Sequence, residues 1–275
     1  MNLLAKFLSE MHVMQVVFFR SLGTWILLVP LMVIKKVNPI GNYPKLLFAR
    51  AFCGLISLAL FFWAIQLIPL GSAISIRYIG PAIAALISIY VLHEKMNPWQ
   101  WLCFLISFAG VILLKGVDLR ISIEGFLITL CSAVLLGFVF VLLRYLGQRE
   151  HYLVIINYFM TLSLIASLFF IPYWRLPVGN EIYAVIGIGV LGFFGQILMT
   201  RAFQLAETNV IAPFKYMELL FAVIIGWFFF NEHYGLMAIL AMTLIIVGMV
   251  CNIWVKHYKG KVQKEDNFVK NDSSN

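Results

Sequence analysis

The hydrophobic positions of this chain come in long unbroken runs. Nine apolar stretches lie near residues 13–34, 46–67, 71–92, 98–114, 123–146, 152–172, 182–205, 208–230 and 234–255. A bilayer core about 30 Å thick takes about 20 apolar residues of helix to cross, so each stretch predicts a spanning helix. Barrel strands would alternate apolar and polar residues over about ten positions, and no such pattern occurs. The breaks between stretches carry helix punctuation. Pro69-Leu70-Gly71 divides the second from the third, and Asn97-Pro98 opens the fourth with proline just inside a helix start. Pro172 and Pro177 bracket a polar turn with Arg175, Gly179 and Asn180. After about Tyr258 the chain turns polar and charged, which predicts a disordered tail.

Composition narrows the class. Of 275 residues, 63% are hydrophobic and 12% charged, against about 45–50% apolar and about 25% charged in soluble domains. The mean hydropathy is +0.96. A soluble globule, a disordered chain, a nucleic-acid module and a disulfide-stapled secreted domain are excluded on these values. The net charge of +8 then reads as a topology signal. Numbering the connectors alternately puts Lys35, Lys36, Lys45, Lys95, Arg144, Arg149, Lys256, Lys259, Lys261 and Lys264 on one side. Lys6, Lys115, Arg120 and Arg175 fall on the other. The asymmetry predicts a multi-pass inner-membrane protein with a cytoplasmic C-terminus. Cys53, Cys103, Cys131 and Cys251 all sit within apolar stretches with no CxxC pair, so packing rather than a disulfide or a metal is expected of them.

Shifting the chain by 138 positions aligns it with itself. Gly54 falls on Gly192, Ala64 on Ala202, Gln66 on Gln204, Tyr78 on Tyr216, Glu94 on Glu232 and Gly110 on Gly248. Arg77 falls on Lys215, which keeps the charge. So many matches in one ungapped register predict a duplication. The same register places residues 1–10 on 139–148, the end of the helix that begins near Ile123. The chain thus opens in the last two turns of a helix, and a misplaced start or a truncated gene is the expected reason. The predicted fold is an all-α polytopic transmembrane bundle. It is an inverted repeat of five plus five helices, with most of the first helix missing and nine full spans present. The first half covers 1–116, the second 117–258, and the polar cytoplasmic tail 259–275. An odd number of spans per half inverts one half relative to the other, as in many secondary transporters.

The residues closing the fourth helix of each half read His93-Glu94-Lys95 and Asn231-Glu232-His233, each followed by an apolar helix with a late glycine, Gly110 or Gly248. This duplicated signature resembles the drug/metabolite transporter superfamily, of the EamA type. Phe18-Phe19-Arg20 and the run Ala-Pro-Phe-Lys-Tyr-Met-Glu-Leu at 212–219 resemble its S-adenosylmethionine uptake transporters. The resemblance implies two five-helix halves around a central cavity, lined in part by the first helix of each half.

Candidate binding residues follow from charge inside the membrane. A mid-helix charge costs about 2.5–3.5 kcal/mol on insertion scales and persists where it meets a wet cavity or a partner. Arg20, Arg77, Lys215 and Glu218 are such residues. Lys215 and Glu218 are three apart and share a helix face, beside Tyr216. The repeat sets Arg77-Tyr78 at the equivalent place, so Arg77 and Lys215 face one central space and suit a carboxylate. Glu218 has Gly80 as counterpart, and would meet an amino or sulfonium group or carry a coupling proton. The competing reading is a buried Lys215–Glu218 pair that only neutralises itself. Arg20 has the alternative of snorkelling to the interface, and Arg201 that of pairing with Glu207. Trp63, Tyr78, Tyr158 and Tyr216 offer rings to an organic cation. Gln66, Gln196 and Asn157 offer hydrogen bonds. Trp99, Trp101, Trp174 and Trp254 lie near span ends as interface anchors. Glu94 and Glu232 at their helix ends fit loop caps or a gate latch.

No HExxH, DxD, GxSxG or Walker motif is present. Neither an enzyme, a metal, a cofactor nor ATP drive is therefore expected. The expected function is a secondary transporter of a small organic metabolite by alternating access, with S-adenosylmethionine uptake the favoured substrate. Export of amino-acid-like metabolites or drugs, and a non-transporting membrane subunit, are the alternatives. Expected partners are the small-molecule substrate, membrane lipid and a coupling proton. The plan admits a homodimer and leaves no role for nucleic acid.

Overall fold

A computed structural model describes residues 1–81, 83–84, 86–87, 98–205, 221–248, 250–251 and 254–255. No strand occurs among them. The helices are α1 (Asn2–Phe7), α2 (Val13–Ile34), α3 (Pro44–Leu67), α4 (Leu70–Arg77), α5 (Pro98–Val117), α6 (Ile123–Gly147), α7 (Tyr152–Leu168) and α8 (Glu181–Leu205). Two more apolar helices follow, α9 (Phe221–Phe230) and α10 (Leu236–Gly248).

Local chemistry sets the helix starts. Proline occupies the opening positions of α3 and α5, where its missing N–H costs nothing. The His12 and His151 side chains cap α2 and α7 by accepting from the Met14 and Leu153 amides, each at 3.3 Å. Ser122 caps α6 by accepting from Gly125 N–H at 3.0 Å.

Among the described residues, four segments are long and apolar enough to cross a bilayer: α2, α3, α6 and Glu181–Ala202 of α8. Sequence predicts nine spans, and the difference has local causes. The stretches at 71–92 and 208–230 run into residues outside those described. The stretch at 152–172 ends early, because the chain leaves α7 through a 3₁₀ turn at Ile171–Tyr173 that contains Pro172. The stretch at 71–92 also breaks at its middle. Pro81 has no N–H to give the Arg77 carbonyl. The turn before it tightens instead: Tyr78 N–H is shared between the Ile74 and Ser75 carbonyls, and Ile79 N–H bonds Ile76.

The most extensive helix contact is α3 on α6. Ser57 and Ser132 sew it together, each hydroxyl donating to the other residue's carbonyl, at 2.8 and 2.7 Å. Small hydroxylated residues let membrane helices approach and bond where lipid provides no hydrophobic drive. Around this pair, α2 packs on α7 and α8, α3 on α7, and α1 on α3 and α8. The 138-position shift exchanges α1 with α6, α2 with α7 and α3 with α8. Under it the α2–α8 contact maps onto α7–α3, and α1–α8 onto α6–α3. Large apolar side chains such as Trp101, Leu105, Ile112, Ile186 and Phe228 stay exposed on the outside, a surface suited to lipid.

Candidate functional site

A cavity of about 200 Å³ lies between α2, α3, α4, α6, α7 and α8. Its wall carries three cations from three elements: Arg20 of α2, Arg50 of α3 and Arg77 at the end of α4. A second cavity of about 320 Å³ adjoins it, sharing Arg20, Ile74, Gln196 and Met199 and reaching Phe221 and Ile225 of α9. No aspartate or glutamate lines either one among the described residues.

Helical spacing builds the wall. Arg50, Gly54, Ser57 and Phe61 recur at i, i+4, i+7 and i+11 on α3 and all face the cavity. Gly54 lets Phe159 of α7 close in, since a Cβ there would lie 3.3 Å from the Phe159 ring and 3.7 Å from Arg50 Nη1. Its repeat equivalent, Gly192, does the same for Arg20, whose Cγ would lie 3.3 Å from a Cβ at that position. The guanidinium carbons of Arg20 and Arg50 stand 5.5 and 4.7 Å from the centre of the Phe159 ring, and that of Arg77 stands 4.0 Å from Phe61.

Both Arg20 and Arg50 are only 2% exposed. Arg20 Nε donates to Met1 Sδ at 3.2 Å. Arg20 Nη1, Arg50 Nε and Arg50 Nη1 are buried with no hydrogen-bond acceptor among the described residues. A cation–π contact returns about 0.5–2 kcal/mol, while desolvating an ion costs several kcal/mol. The rings therefore do not balance the two arginines, and no acidic side chain among the described residues lines the cavity to do so. Gln196 Oε1 is likewise buried without a donor.

A second polar cluster sits at the other end of α4. Glu232 accepts from Leu70 N–H with both oxygens at 3.0 Å, and so caps the helix. Lys6 pairs with the same carboxylate, and Tyr234 donates its hydroxyl to it. Gly71 N–H in turn donates to the Tyr234 oxygen at 3.0 Å. Burial, then the neighbouring Glu232, hold the Tyr234 phenol well above its usual range. Beside them Asp118 accepts from Ser72 Oγ at 3.1 Å and from Arg120 Nε at 2.9 Å. Glu232 is thus a cap joining residues far apart in sequence; Glu94 lies outside the described residues.

Of the residues singled out in the sequence, Arg20, Arg77, Tyr78 and Gln196 line the cavity. Four others do not. Trp63 is 42% exposed and lies about 200° round α3 from Phe61. Gln66 is on the same far side and donates to the Met11 carbonyl at 3.3 Å. Tyr158 donates to the Ile40 carbonyl at 2.8 Å, and Asn157 accepts from Thr161 at 3.5 Å. Both are turned off the Phe159 face of α7. Lys215, Tyr216 and Glu218, with Glu207, lie outside the described residues. Arg201 stacks over Tyr152 at 5.1 Å. Sequence reasoning missed Arg50 and Phe159. The signal for Arg50 was available, a cation at the fifth position of the apolar stretch 46–67.

The sequence profile of the EamA-like transporter family matches this chain twice, over residues 2–115 and 123–254. Solute carrier family 35 member G1 of Mus musculus is 31% identical over 252 residues, covering 84% of this chain and 68% of that protein. The pseudopaline exporter CntI of Pseudomonas aeruginosa (strain ATCC 15692) is 28% identical over 257 residues, covering 91% and 89%. The S-adenosylmethionine uptake transporter of Rickettsia bellii is 24% identical over 268 residues, covering 90% and 88%. A solved crystal structure superposes with a TM-score of 0.63 at 17% identity, over 87% of this chain and 86% of its own, which shows a shared fold. These relatives are transporters by name, not enzymes. This polytopic helical chain belongs to the EamA-like transporter family.

Proposed function

We propose that the protein is an inner-membrane secondary transporter that moves an amino-acid-like metabolite by alternating access. Its two halves, 1–116 and 117–258, rock in inverted orientation around the arginine cavity, and its C-terminus is cytoplasmic. The observation that carries this reading is the meeting of Arg20 and Arg77 in one buried cavity from separate elements. Two guanidinium groups facing one cavity bind a carboxylate through charge-assisted hydrogen bonds. The break at Tyr78 and Ile79 supports it further. Transporters commonly unwind a helix at the substrate and use its freed carbonyl groups. Glu218 serves the coupling proton, and exchange is the alternative drive. Lipid surrounds the bundle, and a homodimer fits the plan.

S-adenosylmethionine is the second reading. Its support is the name of the Rickettsia relatives and the rings of Phe61 and Phe159 in the wall. Its sulfonium, however, would enter a wall with three cations.

The test is flux of labelled amino acids and S-adenosylmethionine in cells and in inverted vesicles carrying the protein. Saturable flux, lost in Arg20→Ala and Arg77→Ala and kept in Trp63→Ala, is the expected result. A protein that reaches the membrane folded and moves none of these solutes would instead support the non-transporting subunit.

A further inference from the structure

The charge of the cavity specifies its ligand more closely than one carboxylate. We infer that this transporter's substrate is an organic anion with at least two acidic groups and an N–H donor, one acid bound by Arg20 and one by Arg50. The inference rests on the cavity being the transport site.

Two guanidinium groups, both almost fully buried, face the same space with nitrogen donors unmatched among the described residues. Each stands over the Phe159 ring, at 5.5 and 4.7 Å. Their carbons are therefore no further apart than those two distances combined, about 10 Å. That is a span for a short di-acid. Arg77 over Phe61 adds a third positive group to the wall. Against these stands no acidic side chain in the described lining.

A neutral amino acid brings one carboxylate and one ammonium, and leaves the wall as positive as before. A net cation makes it worse. A di-acid supplies acceptors to both arginines, in the forked geometry that guanidinium groups favour. Gln196 completes the match, since its buried Oε1 lacks a donor and borders both cavities. It accepts from a substrate amine. Arg50 is then the residue that sets specificity for the second acid. The second acid is a carboxylate or a phosphate ester, which present the same chemistry to a guanidinium.

The experiment reads binding apart from transport. Purified full-length protein in detergent is titrated with glycine, glutamate, iminodiacetate, phosphoserine and S-adenosylmethionine, following its melting temperature and tryptophan fluorescence. Glutamate, iminodiacetate or phosphoserine should bind at least tenfold tighter than glycine and S-adenosylmethionine. Which of the three binds best separates carboxylate from phosphate. Arg50→Gln should weaken the best di-acid by about 10- to 100-fold, the scale of a charge-assisted contact. The loss for glycine should be smaller, since glycine lacks the second acid. Arg50→Lys, which keeps the charge without the fork, should fall between. Equal binding of glycine and the di-acids, or preference for S-adenosylmethionine, overturns the inference. So does an Arg50→Gln protein, melting as wild type, that keeps its di-acid affinity. Di-acid binding without flux into proteoliposomes would leave the ligand class standing and remove the transport reading.

Discussion

Gly110 of α5 and Gly248 of α10 exchange partners across one helix contact. A Cβ on Gly110 would lie 3.0 Å from the Ala241 carbonyl and 3.0 Å from Ile245 N. One on Gly248 would lie 2.8 Å from the Cys103 carbonyl and 2.9 Å from Ser107 N. Cys103 and Ser107 are 138 positions before Ala241 and Ile245, as Gly110 is before Gly248. Each glycine therefore seats the other's helix at the same two turns. Backbone atoms stand just behind the nearest side-chain atoms, Ile245 Cγ1 and Ser107 Oγ, so the helices cannot yield cheaply. Gly110→Leu and Gly248→Leu should each destabilise by about 1–3 kcal/mol through overpacking. The double variant should cost less than their sum, because the two share one interface. Melting of the detergent-solubilised protein checks both.

Gly54 is placed to act on the site itself. Gly54→Val puts bulk against the Phe159 ring, already 3.3 Å from a Cβ, and pushes the ring toward the two arginines. The expected outcome is a substrate affinity lowered about tenfold or more, with expression kept near wild type. Gly192→Val should do likewise through Arg20 and Thr24, the latter only 2.9 Å from a Cβ. Flux kinetics on both variants, compared with Gly116→Ala, where nothing among the described residues stands within 4 Å, decide it.

Glu232 and Lys6 should respond unequally. Glu232→Leu removes the cap of α4, the Tyr234 acceptor and the Lys6 partner together. It should cost more than a cap alone, which is about 0.5–2 kcal/mol. Lys6→Met leaves Glu232 bonded to Leu70 and Tyr234 and should cost less. The double variant should recover part of the Glu232→Leu loss, because no ammonium is then left buried without a counter-ion. A double-mutant cycle in thermal stability measures that recovery.

Asp118 provides the pH dependence. Burial pushes its carboxyl up, but the Arg120 hydrogen bonds and charge outweigh it, and the group sits below the ordinary aspartate value of 3.8. The folded state thus binds its proton less readily than the unfolded chain does. Its stabilisation is fully present above 3.8 and is lost as pH falls through the lower folded value. Asp118→Asn should be less stable than wild type at neutral pH, and the gap should close in strong acid. Melting curves across acid pH check the sign.

The Ser57–Ser132 pair tests how α3 holds α6. Ser57→Ala removes the bond to the Ser132 carbonyl, leaves Ser132 Oγ donating to the carbonyl of residue 57, and should cost about 0.5–1.5 kcal/mol. Replacing both serines by alanine removes both bonds, and the departure of its cost from the sum of the two single losses measures the contact between the hydroxyls, 3.3 Å apart.

Much of this protein is legible in its sequence because a bilayer demands it. Runs of about 20 apolar residues, prolines at helix starts and two copies of one signature are properties of the chain alone. They were enough for an all-helical membrane transporter of the EamA type. Intramembrane charge was enough to mark Arg20 and Arg77, because such charges are rare in so apolar a chain. Which way each helix turns was not legible. In lipid the outside is as apolar as the inside, so no polar face tells Trp63 and Gln66, on the outer side of α3, from Phe61 on the inner. Arg50 lies near a helix start, beside Lys45, and only packing buries it to 2% exposure. Phe159 was one of 24 phenylalanines until Gly54 let it in against two arginines. Length and charge are local, and the chain carries them openly. Rotational phase and the meeting of distant cations belong to helix packing, and only the tertiary structure decides them.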